Sequence, residues 1–72
     1  MRLLRVDAVT GEAEITAMSS EVFPKKSNMP YTFDDGRVLY KLNEGSSIFC
    51  TDDFSLWMYQ KNDTWSDGNT TR

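Results

Sequence analysis

The stretch Gly45-Ser-Ser-Ile-Phe-Cys-Thr-Asp-Asp-Phe-Ser-Leu-Trp-Met-Tyr-Gln-Lys-Asn-Asp-Thr-Trp65 decides the fold of this chain. It contains two short apolar runs, which the acidic pair Asp52-Asp53 separates and a tryptophan closes. Short alternating runs bounded by Asp, Asn and Gly are typical of β-strands joined by tight turns. The stretch therefore predicts a compact β-meander that carries much of the aromatic mass of the protein.

Alternation within the meander predicts which side chains face the core. Residues 54–60 are apolar on both alternating faces, so this strand is either enclosed in the domain or covered on its outer face by a partner. The predicted inward set is Ile48, Cys50, Leu56 and Met58, and the predicted outward set is Trp57, Tyr59 and Trp65. Because tryptophan and tyrosine dominate interface energies once they are desolvated, the outward set is a candidate partner-binding surface.

The N-terminal part predicts a first hairpin. Residues 2–9 alternate imperfectly, Gly11 stands where a turn would need a positive φ, and residues 12–18 alternate again. The competing interpretation is a short helix over Glu12–Met18, since alanine and glutamate favour helices and disfavour strands.

The middle of the chain predicts a long surface loop from Ser19 to Asp35, which contains Pro24 and Pro30. Its apolar residues are Val22, Phe23, Met29, Tyr31 and Phe33. Either Phe23 and Phe33 complete the core under the sheet, or the loop forms a contact surface for another subunit, in which case Phe23 and Met29 join the partner-binding set. Asp34-Asp-Gly36 then predicts a turn, with residues 31–33 pairing with a strand over 37–42.

Together these elements predict an all-β, mainly β fold: a small antiparallel meander of about five to six short strands, one long Pro-containing loop and a frayed C-terminal tail. Residues 1–66 form the single predicted domain, and residues 67–72 a flexible tail. A 72-residue chain with one cysteine has a small core and no intrachain disulfide. We therefore expect stabilisation by a protein partner, either as a homo-oligomer or by docking on a larger assembly.

Composition argues against several classes of function. The chain has eight basic and eleven acidic residues and no histidine, which gives a formal net charge of −3. An acidic chain lacks the basic footprint of a general nucleic-acid binder. Without histidine, the commonest general base is missing and a Ser-His-Asp or Cys-His site cannot be built. We expect a non-enzymatic protein with no cofactor, no metal and no nucleic-acid partner.

The remaining candidate groups favour structural roles. Cys50, predicted inward beside Ile48, is expected to act as a small buried hydrophobe. The adjacent carboxylates at Asp34-Asp35 and Asp52-Asp53 are expected to be turn residues that bond the backbone two residues on. Residues 1–7 lack the apolar core of a signal peptide, and no run approaches a membrane-spanning length, so we expect no membrane partner and synthesis in a cytosol.

Residues 45–65 resemble a hairpin found in many short tailed-bacteriophage proteins. The shared pattern is a Gly-Ser entry, an apolar strand to an Asp-centred turn, a strand with an aromatic near its end, and a polar turn before a closing tryptophan. A less specific likeness covers the N-terminal strand, Val9-Thr10 and the acidic segment with Ile15. This chain departs from the pattern at Asp53-Phe54, where the family usually carries a small residue or glycine, and in its long loop.

The resemblance implies a structural protein of the virion, made in the host cytoplasm. Such a protein would be a minor capsid, head-decoration or head-fibre element, or a small tail or connector protein, with a capsid or tail protein as its partner. The alternative is a small acidic phage-encoded protein that binds and inhibits a host protein, since small size and negative charge fit that function equally well.

Overall fold

The computed structural model describes residues 1–24 and 30–72 and shows a mainly β protein. Its elements are β1 (Arg2–Val6), β2 (Ala13–Ala17), α1 (Ser19–Val22), β3 (Tyr31–Thr32), β4 (Val38–Leu39), β5 (Ser47–Cys50), β6 (Ser55–Tyr59) and β7 (Trp65–Ser66). Five strands form one sheet in the order β1-β2-β5-β6-β7, and β3 and β4 form a separate two-stranded sheet.

The predicted first hairpin is confirmed. Strands β1 and β2 pair antiparallel, with Leu3 opposite Ile15 and a bulge in β1 between Leu3 and Arg5. The turn is closed by the side chain of Asp7, whose Oδ1 accepts the backbone N–H groups of Val9 and the following residue at 2.8 and 3.1 Å. Gly11 takes a φ of +75°, a conformation that glycine adopts readily. Residues 13–17 are therefore a strand, and the helical interpretation of this segment is wrong.

Strands β5, β6 and β7 form the predicted antiparallel meander, but the sheet as a whole is mixed. Strand β2 pairs with β5 in parallel, with Ile15 beside Ile48 and Ala17 beside Cys50. The expectation of a purely antiparallel sheet is wrong at this pair. A parallel pair requires a crossover connection, and residues 18–46 provide it.

The crossover contains regular structure where the sequence predicts one long loop. Helix α1 follows β2 directly, and the backbone N–H and hydroxyl of Ser19 donate to the carboxylate of Asp52 at 3.1 and 2.6 Å. Strands β3 and β4 pair antiparallel, which confirms the predicted pairing around the Asp34-Asp-Gly36 turn. None of the described helices is long and apolar enough to cross a membrane.

The core lies between one face of the five-stranded sheet and the crossover. Strands of the sheet contribute buried Leu3, Ala13, Ile15, Ala17, Ile48, Cys50, Trp57, Tyr59 and Trp65, and the crossover contributes buried Val22, Tyr31, Phe33 and Leu42. The predictions that Ile48 and Cys50 face inward and that Phe33 completes the core are confirmed. The core is thus one layer of side chains, covered by the sheet below and the crossover above.

The predicted facing of β6 is wrong, because the structure reverses it. Trp57 is 5% exposed, whereas Leu56 is 58% and Met58 50% exposed. The cause is the register: Trp57 lies directly opposite Ile48, and opposite residues on paired strands point to the same face. The indole Nε1 donates to the hydroxyl of Ser55 at 2.7 Å, so the polar end of this buried ring is satisfied.

The C-terminal residues pair back onto the sheet, where the sequence predicts a frayed tail. Ser66 and Thr71 form an antiparallel bridge, and Trp65 and Arg72 exchange two backbone hydrogen bonds of 2.8 Å. The Arg72 guanidinium carbon lies 3.9 Å from the ring centroid of Phe23, whose ring meets that of Trp57 edge-on at 5.1 Å. A cation over an aromatic face is attracted by the ring quadrupole, and this contact holds the tail against the core.

Alanine substitutions of Trp57 and of Leu56 should distinguish the buried face of β6 from its exposed face by their effect on stability. We expect Trp57→Ala to lower the free energy of unfolding by about 3–5 kcal/mol, because it opens a cavity in the core. Leu56→Ala, on the exposed face, should cost less than about 1 kcal/mol. Urea denaturation measures both, and Trp57→Phe provides a milder core variant if Trp57→Ala does not fold. Equal losses for Trp57→Phe and Leu56→Ala would contradict the assigned facing.

The contact between Arg72 and Phe23 should also be measurable. Arg72→Ala should lower the free energy of unfolding by about 0.5–1 kcal/mol, the usual value of a cation–π contact at an exposed site. Arg2→Ala, which removes another exposed arginine, is the control and should change stability less. Thermal denaturation of the two variants checks this, and an identical effect of both would show that the contact contributes nothing.

Candidate functional site

The second face of the five-stranded sheet carries an exposed apolar patch. On this face Phe49 lies opposite Leu56, and Met58 lies two residue pairs further along, opposite Ser47. The ring of Phe54 packs beside that of Phe49, with centroids 6.3 Å apart. We call Phe49, Phe54, Leu56 and Met58 the apolar patch, and the sheet face that bears it the open face.

The apolar patch is exposed to a degree that is costly in a small protein. Phe54 is 79% exposed, Leu56 58% and Met58 50%. Phe49 is half-buried. Contiguous exposed apolar groups on a sheet face, as opposed to scattered single residues, mark surfaces that bind other molecules.

Phe54 holds a conformation that is unusual for a bulky residue. Its φ is +59°, in the left-handed region that favours glycine. The turn before it is fixed by Asp53, whose Oδ1 accepts the backbone N–H and the hydroxyl of Ser55 at 3.0 and 2.6 Å. These two bonds set the start of β6 and place the Phe54 ring beside Phe49.

Both edges of the main sheet carry hydrogen bonds from other parts of the chain. At the β1 edge, the backbone N–H of Asp34 donates to the carbonyl of Met1 at 3.0 Å, and Arg37 donates to the carbonyl of Leu3 at 3.2 Å. At the β7 edge, the bridge to Thr71 occupies the backbone. Exposed strand edges invite pairing with another chain, and these contacts occupy the β7 edge and the first part of the β1 edge.

Two concavities adjoin the open face among the described residues. One of about 310 Å³ is lined by Leu56, Met58, Gln60, Ser66, Asp67 and Gly68, beside the apolar patch. The other, of about 550 Å³, lies at the end of the sheet and is lined by Glu44, Gly45, Met58, Tyr59, Gln60, Lys61, Asn62 and Thr64. Met58 lines both concavities, and Leu56 lines only the first.

The structure does not bring the predicted partner-binding residues together on the surface. Trp57, Tyr59 and Trp65 lie in the core, and Phe23 is half-buried against it. Met29 lies outside the described residues. The surface that the sequence prediction missed is built from Leu56 and Met58, because the sequence does not show the register that places Trp57 opposite Ile48.

The aromatic residues of the predicted set have partners inside the protein. The rings of Tyr59 and Trp65 meet edge-on at 5.3 Å, and the Tyr59 hydroxyl donates to Asp63 Oδ1 at 3.1 Å. Desolvation raises the pKa of the neighbouring buried phenol, Tyr31, to about 12. Burial also raises the pKa of the Cys50 thiol. Both groups are held protonated at neutral pH, a state that suits packing and not nucleophilic chemistry.

Cys50, Asp52 and Asp53 offer ligand atoms within 4.8 Å of one another. Their contacts show a structural arrangement, because the Asp52 carboxylate accepts from Ser19 and that of Asp53 from Ser55. A protonated, fully buried thiol is also a poor metal ligand, since the thiolate is the form that binds metals. The cluster ties α1 to the turn between β5 and β6.

Comparisons with protein-family models, with curated proteins and with solved structures found no match to this chain. The function therefore has to be inferred from the residues and from the open face they form.

Acid should destabilise the fold through its turn carboxylates. The hydroxyl of Ser19 and then its backbone N–H hold the pKa of Asp52 below its usual value, and backbone N–H groups do the same for the pKa of Asp7 and Asp67. A carboxyl whose pKa is lower in the folded state stabilises the fold above its unfolded pKa, about 3.9, and loses that contribution as the pH falls through the folded pKa. We expect the free energy of unfolding to be flat between about pH 5 and pH 7 and to fall below about pH 4.

Ser19→Ala tests the contribution of Asp52 to this acid sensitivity. The variant should be less stable than the parent at pH 7, and the difference should shrink as Asp52 becomes protonated. Ser20→Ala, at an exposed neighbouring position, is the control. Urea denaturation at pH 7 and at pH 3 measures both, and a loss that is the same at the two pH values would contradict a role for the ionised carboxylate.

Proposed function

We propose that this chain is a non-enzymatic structural component of a bacteriophage particle, which docks on a larger symmetric assembly through the open face. The candidate roles are a minor capsid, head-decoration or head-fibre element, or a small tail or connector protein. The observation that carries the proposal is the apolar patch, uncovered on a sheet whose other face bears the core.

Burial energetics support docking through this face. Complete burial of one large apolar side chain is worth about 1.5–3 kcal/mol. Phe54, Leu56 and Met58 each retain half or more of their surface to bury. In a symmetric assembly the same contact recurs at every equivalent position, so a modest contact per copy is sufficient. Docking also stabilises the folded chain by mass action, which benefits a domain of this size.

The phage assignment is supported by the position in the fold of residues 45–65, the segment that resembles a hairpin of tailed-bacteriophage proteins. Residues 45–65 form β5 and β6 and reach into β7, which is the antiparallel half of the sheet and the half that bears the apolar patch. Phe54 takes a φ of +59° at the position where the resembled hairpins usually carry a small residue or glycine. The backbone conformation at this turn is therefore one that glycine would adopt readily.

A virion component and an inhibitor of a host protein differ in where the chain is found. We expect mass spectrometry of purified particles to detect the chain at a copy number that matches a symmetry element of the particle. Absence from particles, with free chain in the infected cell, would contradict the proposal and favour the inhibitor.

Leu56→Lys tests whether the open face makes the contact. It should deplete the chain from particles at least about tenfold, since it places a charge in the centre of the docking surface. The matched control is Leu4→Lys, a leucine of similar exposure, 52%, on the edge strand β1. Normal incorporation of Leu56→Lys, or equal depletion of both variants, would show that docking uses a different surface.

A further inference from the structure

We draw no further inference here: the strongest candidate, the apolar patch on the open face of the main sheet, belongs to the docking surface already proposed, and nothing in the described part of the structure shows which molecule covers it.

Discussion

The parallel pairing of β2 with β5 is the constraint on which the rest of the structure depends. It joins the N-terminal hairpin to the C-terminal meander through Ile15 beside Ile48. Parallel neighbours cannot be linked by a tight turn, so residues 18–46 have to pass from one end of the sheet to the other. The described part of that connection buries one face of the sheet with Val22, Tyr31, Phe33 and Leu42. The other described connections within the main sheet are turns of six residues or fewer, and none of them covers the other face. The exposure of the open face follows from the topology.

The size of the core residues follows from the same constraint. The core positions of β2 are filled by the small residues Ala13 and Ala17, with Ile15 between them. The core positions of β6 and β7 are filled by the large rings of Trp57, Tyr59 and Trp65. A single layer of side chains is packed without voids when small and large residues are matched to the gap in this way.

Local features of the fold could be predicted from the sequence, and non-local ones could not. The first hairpin follows from Gly11 between two alternating segments, and the inward facing of Ile48 from its own strand. The parallel pair joins residues that are distant in the chain and leaves no local pattern. The facing of β6 was not predictable either, because Leu56 and Trp57 are both apolar and alternation cannot choose between them. The register between β5 and β6 determines which side chains of β6 face the core, and that register depends on both strands.

The reversal of β6 changes the character of the binding surface. Interface statistics favour exposed aromatic rings, but a marginal domain gains more by placing its largest rings in the core, where every atom of the ring is buried. What remains outside is leucine, methionine and the rings of the half-buried Phe49 and the exposed Phe54. Methionine adapts its shape to different neighbours and specifies them weakly. Selectivity on this face therefore has to come from the position of Phe54, which an unusual backbone conformation fixes.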